Sequence, residues 1–297
     1  MHYIEKHEVL SKIIRTREVI DYGVKMIGAE YEWPETMGEG VRVGIIDTGI
    51  DVNHIDLKSR INKTVSFIDS DITDYNGHGT HVAGVIAAEK NGVGVVGVAP
   101  KCNLYVAKAF DEKGVSTDTS ITKSLEWMLE NDVNIINMSY SSNKIDENEK
   151  ALLEECSKNN IILCAAAGNS GGFGNQDTIS YPAKYENVIA VTAVDYKGDI
   201  ADFSSIGEKA QVAAAGKNIL SCYKNNSYAV LSGTSMATPL ITGAVAILQA
   251  KSMLRFNRYL TCDEMNTMLA MYADYPGIYG KSAKYGYGIF SFGRILK

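Results

Sequence analysis

Three short segments each set a reactive side chain among glycines: VGIIDTGID at residues 43–51, NGHGTHVAG at 76–84 and GTSMATP at 233–239. The groups they offer are the carboxylate of Asp47, the imidazole of His78 and the hydroxyl of Ser235. A serine hydroxyl is a weak nucleophile until a base takes its proton, and an imidazole base needs a buried carboxylate to fix its tautomer and steady its cation. The set therefore suits acyl transfer through a covalent serine intermediate. Each segment alone has a plainer explanation. An Asp after a strand often caps a turn, a Ser at a helix start is commonly an N-cap, and a His between glycines is as often structural as chemical. Their joint presence in one chain favours the chemistry.

The elements that must hold these groups can be read around them. The apolar run VRVGIID ends at Asp47, and the chain turns at Thr48-Gly49. His78 precedes a helical apolar pattern through Val82, Val85 and Ile86. Ser235 opens a helix through Ile241, Ala244, Val245 and Leu248, so its hydroxyl lies where helix amides favour a developing negative charge. Further runs, NLYVAKAF, VNIINMSY, IILCAAAGN and NVIAVTAV, alternate with helical stretches near residues 117–130 and 146–159. That alternation predicts an α/β fold of three layers, a mostly parallel central sheet with helices on both faces, and ligands at the carboxyl ends of the strands. The acidic segment before Val41 reads as an arm packed on the domain. With no repeat or linker visible, and the last turn signals at residues 285–288, one domain is expected.

The 297 residues are 45% hydrophobic and 22% charged, enough to bury a core without metals or disulfides. The net charge of −6, with both signs interspersed, offers no basic face to nucleic acid. The longest apolar stretches fall short of a bilayer span, so no membrane partner is expected. The five cysteines are odd in number, scattered and never in a C-x-x-C pair, which suits reduced, buried thiols. Charges interrupt every apolar cluster of the N-terminal MHYIEKHEVLSKIIRTREVIDYG, so the core of a secretory signal is missing. If residue 1 is the natural start, a cytoplasmic location follows.

The order Asp47, His78, Ser235 and the wording of the three segments resemble the subtilisin-like serine proteases over residues 22–292. The resemblance implies a serine endopeptidase whose substrate is a protein or peptide. It makes Asp47, His78 and Ser235 a catalytic triad, and Asn169, at the end of IILCAAAGN, the side-chain donor of the oxyanion hole. Substrate would lie as an extended strand between two walls, Gly114, Val115 and Ser116 on one side and Ser139, Tyr140 and Ser141 on the other. Ala166, Ala167, Gly168 and Ser180 would surround the pocket for the residue preceding the cleaved bond. Many relatives carry Gly-Gly where this chain has Ser141-Ser142, which narrows that pocket. They usually carry His-Val where it has Leu240-Ile241, a change read as core packing.

The loop at residues 89–95 resembles the family's strong Ca2+ site. The implied ligands are the side chains of Asp56 and Asn91, the carbonyls of Glu89, Val93 and Val95, and Glu18 from the arm; Lys90 is an unhelpful neighbour. Residues 1–20 resemble the short N-terminal extension of intracellular subtilisins, and residues 21–297 the peptidase domain. Residues 1 to about 17, including Ile13-Ile14-Arg15, are expected to cross or block the cleft as an inhibitor. His81 reads as structural, and His2, His7 and His54 receive no chemistry. Three classes remain open: a general intracellular endopeptidase, a dedicated processing peptidase for leader peptides or proproteins, and a non-catalytic scaffold.

Overall fold

A computed structural model of the chain describes residues 2–4, 12–13, 17–117, 119–172, 176–276 and 280–296. In chain order the first half comprises β1 (Lys12–Ile13), β2 (Val19–Ile20), α1 (Tyr22–Ile27), β3 (Arg42–Asp47), β4 (Ile61–Ser66), α2 (His78–Ala87), β5 (Val95–Val96), β6 (Asn103–Lys108), α3 (Ser120–Glu130) and β7 (Ile135–Met138). The second comprises α4 (Glu147–Lys158), β8 (Ile162–Ala166), β9 (Ile189–Val194), β10 (Ala210–Ala215), β11 (Ile219–Tyr223), β12 (Ser227–Leu231), α5 (Thr234–Phe256), α6 (Cys262–Tyr272), β13 (Ala273–Asp274) and β14 (Ile289–Phe290).

Among the described residues, nine strands form one sheet in the order β13-β14-β10-β9-β8-β7-β3-β6-β4, parallel throughout except for the β13–β14 pair. Side chains alternate across its two faces, as the two-residue period of a strand requires. Val43, Ile45, Leu104, Val106 and Ile135 join one core with α2 and α5. Ile46, Tyr105, Ala107, Ile136 and Met138 join the other with α3 and α4. This is the three-layer arrangement expected from the apolar runs, each of which is a strand trimmed by one to three residues at its ends.

The segment before Val41 is more than an arm. Val24, Ile27, Ala29 and Trp33 are buried in the larger core. Asp21 caps α1, its carboxylate accepting from the Gly23 and Leu220 amides at 2.7 and 3.1 Å. Burial pushes its pKa up to about 6 against those bonds. Further N-terminal, β2 pairs with β5 and β1 with β12. Four cysteines are buried and Cys262 is half-buried, all as free thiols. Burial pushes Cys102, Cys156 and Cys164 up to about 12, so they are inert toward ordinary oxidants. Helix α5 is long and apolar enough to cross a membrane, but most of it lies inside the core between α2 and the sheet.

Candidate active site

Asp47 is the last residue of β3 and fully buried. Its Oδ1 accepts from the Thr48 amide at 2.7 Å and meets His78 Nδ1 at 2.8 Å, with Oδ2 at 3.0 Å from the same nitrogen. His78 is the first residue of α2, brought this close because its neighbours lack side chains. A Cβ on Gly79 would lie 2.2 Å from the Gly49 carbonyl oxygen and 3.2 Å from Asp47 Cβ. Gly77, at φ 105°, turns into the helix against the Tyr223 ring.

A residue that the sequence did not single out fixes this junction. Asp74 is buried and accepts from Thr48 Oγ1, the Gly77 amide, the Thr80 amide and Thr80 Oγ1 at 2.7–2.8 Å. Thr48 Oγ1 in turn accepts from the Gly79 amide at 3.0 Å. The turn after β3 and the first turn of α2 are thus tied through one carboxylate. The signal was present in DYNGHGT, an Asp four residues before a His between glycines, but an Asp in such a loop is ordinarily read as a turn residue.

Ser235 lies in the first turn of α5 and is bound twice to Ser139, the residue after β7. Its Oγ donates to the Ser139 carbonyl at 3.1 Å, and Ser139 Oγ donates to the Ser235 carbonyl at 3.0 Å. That carbonyl is available because Pro239, four residues on, has no N–H to donate to it. Asn137 extends the buried network, donating to Ser139 Oγ and accepting from Thr242 Oγ1. Asn169, three residues past β8, accepts at Oδ1 from both the amide and the hydroxyl of Thr234 at 2.9 Å. The two hydrogen bonds that Oδ1 accepts orient the amide, and Nδ2 would lie 3.2 Å from a Cβ on Gly233. Asp47, Ser139 and Asn169 therefore follow the ends of three neighbouring parallel strands, β3, β7 and β8, with α5 packed beneath.

The two expected walls face each other with the chain's own N-terminus between them. Tyr3 exchanges both backbone hydrogen bonds with Ser141 at 3.0 Å, Ile4 N–H donates to the Gly114 carbonyl at 2.8 Å, and Ser116 N–H donates to the His2 carbonyl at 3.2 Å. Tyr3 forms antiparallel bridges to Val115 and Ser141 alike. Tyr140, between the wall residues, is buried, and Ser142 pairs with Tyr181. Ser180 bonds the Ala167 carbonyl through N–H and Oγ at 3.0 and 3.2 Å, beside Ala166, the last residue of β8, while the Gly168 amide donates to Thr234 Oγ1 at 3.2 Å. His7, Ile14 and Arg15 lie outside the described residues, and Ile13 is described through its backbone in β1 alone.

The matching family is the "Subtilase family", over residues 38–288. The chain belongs to it. Subtilisin DY of Bacillus licheniformis is 43% identical over 79% of this chain and 86% of its own length. An intracellular serine protease of Paenibacillus polymyxa is 36% identical over 90% of this chain and 84% of its own. Subtilisin E of Bacillus subtilis (strain 168) is 37% identical over 84% and 65%. As a subtilase the chain is a serine endopeptidase of the α/β class, in agreement with the expectation from its three motifs.

The residues assigned to calcium also gather. Asn91 Nδ2 donates to Asp56 Oδ1 at 3.1 Å, Asp56 Oδ2 accepts from the Val95 amide at 3.0 Å, and Glu18 Oε2 accepts from the Gly92 amide at 2.8 Å. Glu89 turns its carboxylate to Ser59 and Arg60, which leaves its carbonyl as its only donor to the loop. Lys90 lies over the Trp33 ring, 5.7 Å from its centroid. Two carboxylates and an amide around one loop are a hard-oxygen set that fits a divalent cation once the Asn91 amide turns its oxygen inward. His54 and Cys222 approach Asp56 as well. The His54 Nδ1 accepts from the Asp56 amide and its Nε2 bonds the Ser227 carbonyl, so the imidazole is structural, as is His81 against the Ile219 and Ala229 carbonyls.

Proposed function

We propose that the chain hydrolyses peptide bonds through an acyl-enzyme, with Ser235 as nucleophile, His78 as base and Asp47 holding the imidazole. The observation that carries this reading is the buried 2.8 Å contact of Asp47 with His78 Nδ1. With Nδ1–H donating to that carboxylate, Nε2 is read as the basic nitrogen. Attack needs Ser235 to exchange its bond to the Ser139 carbonyl for one to that nitrogen. Asn169 Nδ2 and the Ser235 amide would then hold the oxyanion, since the amide oxygen is already committed to Thr234. Turnover of denatured casein by the wild type, abolished in both Ser235→Ala and His78→Ala, tests the assignment; unaltered turnover in either variant refutes it.

Residues 114–116 and 139–141 are read as the substrate's bed, and Ala166, Ala167, Gly168 and Ser180 as the pocket before the cleaved bond. Residues 1–20 are read as an inhibitory extension and residues 21–297 as the peptidase domain, supported by the strand that residues 2–4 add between the walls. A cytoplasmic role is supported by the likeness to an intracellular serine protease and by the free, buried thiols. Calcium would be held by Asp56, Asn91, Glu18 and the carbonyls of Glu89, Val93 and Val95, and would supply rigidity to the loop beside α2 rather than chemistry. Chelation is expected to lower the melting temperature by several degrees, restored by Ca2+; an unchanged melting curve would remove the site.

A further inference from the structure

Glu149 is a carboxylate without exposed surface, on the third residue of α4. An acid in a first helical turn is ordinarily explained by the helix dipole, or by a capping box in which it turns back to the N-cap amide. Here that amide, of Asp146, donates to Tyr185 Oη at 3.1 Å. Glu149 turns inward instead. Its Oε1 accepts from Tyr140 Oη at 3.1 Å, and its Oε2 meets His2 Nε2 at 3.0 Å. The imidazole is itself buried and stands edge-on to the Tyr140 ring at 5.5 Å between centroids. The backbone of His2 is clamped by Ser116, whose Oγ and amide bond it from the opposite wall. The cleft thus has a side pocket with an acidic floor, and an imidazole fills it.

We propose that Glu149 makes this pocket a subsite for a histidine side chain of the substrate. The inference rests on the reading of the two walls as the substrate's bed. Tyr140 Oη serves one carboxylate oxygen, but a desolvated Oε2 also needs a donor, so an apolar occupant would strand that oxygen, whereas a ring N–H at 3.0 Å satisfies it while the ring body packs on Tyr140. The register of Tyr3 opposite Ser141 gives the position. A substrate strand in that register sets the residue two places on opposite Ser139, whose carbonyl accepts from Ser235 Oγ. The residue in the Glu149 pocket is one before Tyr3's place, hence three before the residue at the nucleophile. Histidine is the preferred fourth residue before the cleaved bond.

The test is a set of fluorogenic peptides that differ only there, carrying His, Lys, Gln, Leu or Ala, given to the full chain. Competition from the chain's own N-terminus is common to all and cancels in the ratios. The His peptide is expected to exceed the Leu peptide at least tenfold in kcat/KM, with the order reversed in Glu149→Leu and the gap narrowed in Glu149→Gln. Binding of the same peptides by fluorescence anisotropy reads the pocket even in a chain that cleaves nothing, which separates failure of the catalytic reading from failure of this one. Equal or better binding and cleavage of the Leu peptide by wild type would overturn the inference. So would a His preference that survives both substitutions.

Discussion

Asn169 and Glu149 are polar side chains whose directions are set by hydrogen bonds within the chain. Asn169 has its oxygen bound twice by Thr234, so in its proposed role the amide would meet the oxyanion with little reorganisation. Asn169→Ala is therefore expected to lower kcat about 100- to 1000-fold with KM little changed, a magnitude known for this enzyme class rather than deduced from the present geometry. Steady-state kinetics on one peptide decide it, and a rise in KM with constant kcat would contradict the role. The four polar residues of the proposed chemistry stood out because each lies in a glycine-bearing motif, at the end of an apolar strand for Asp47 and Asn169 and at the start of an apolar helix for His78 and Ser235. Glu149 and His2 were not. In the sequence one is an acid in a helix's first turn and the other sits in a charged tail, and their pairing spans 147 positions.

At the scale of elements, most of the sheet could be read because a fully buried parallel strand is a short apolar run. Strands that escaped notice include β4, whose INKTVS is largely exposed at the sheet edge, the alanine-rich β10, and the hairpin of β11 and β12, whose runs are short or broken by serine. Helix α6 was missed although Thr261 and Glu264 form a capping box whose spacing stands in the sequence. Asp21, at the start of α1, ties the stability of that helix's docking to pH. Its carboxyl is pushed from 3.8 to about 6 by burial. Between those values the folded chain holds a proton that the unfolded chain has released, so this group's contribution favours folding below pH 4 and is lost as pH rises through 6. Urea denaturation of wild type and Asp21→Asn across pH 4–7 should show the variant gaining on the wild type by up to about 3 kcal/mol as pH rises. A constant difference would show that the carboxyl is ionised throughout.

For the molecule as a whole, the same cleft that would receive substrate is filled by a strand of the chain itself. Backbone pairing to both walls, the buried His2–Glu149 contact and the docking of β1 and β2 hold that segment at successive points. Proteolytic removal of residues 1–17, or His2→Ala, should therefore raise casein turnover several-fold in the full chain, read as an initial rate on matched active-site concentrations. An unchanged rate would mean that the strand does not compete with substrate. Charge and composition point away from a nucleic-acid surface, but the proposed link between the N-terminus and specificity rests on the folded cleft.

If folding makes the hydroxyl of Ser235 a nucleophile through His78 and Asp47, the wild-type chain reacts with a fluorophosphonate. Peptide mapping of the treated protein should find one adduct, on Ser235, lost in Ser235→Ala and slowed at least a hundredfold in His78→Ala. An unlabelled wild-type chain, or label carried with equal speed by the His78→Ala variant, would contradict it.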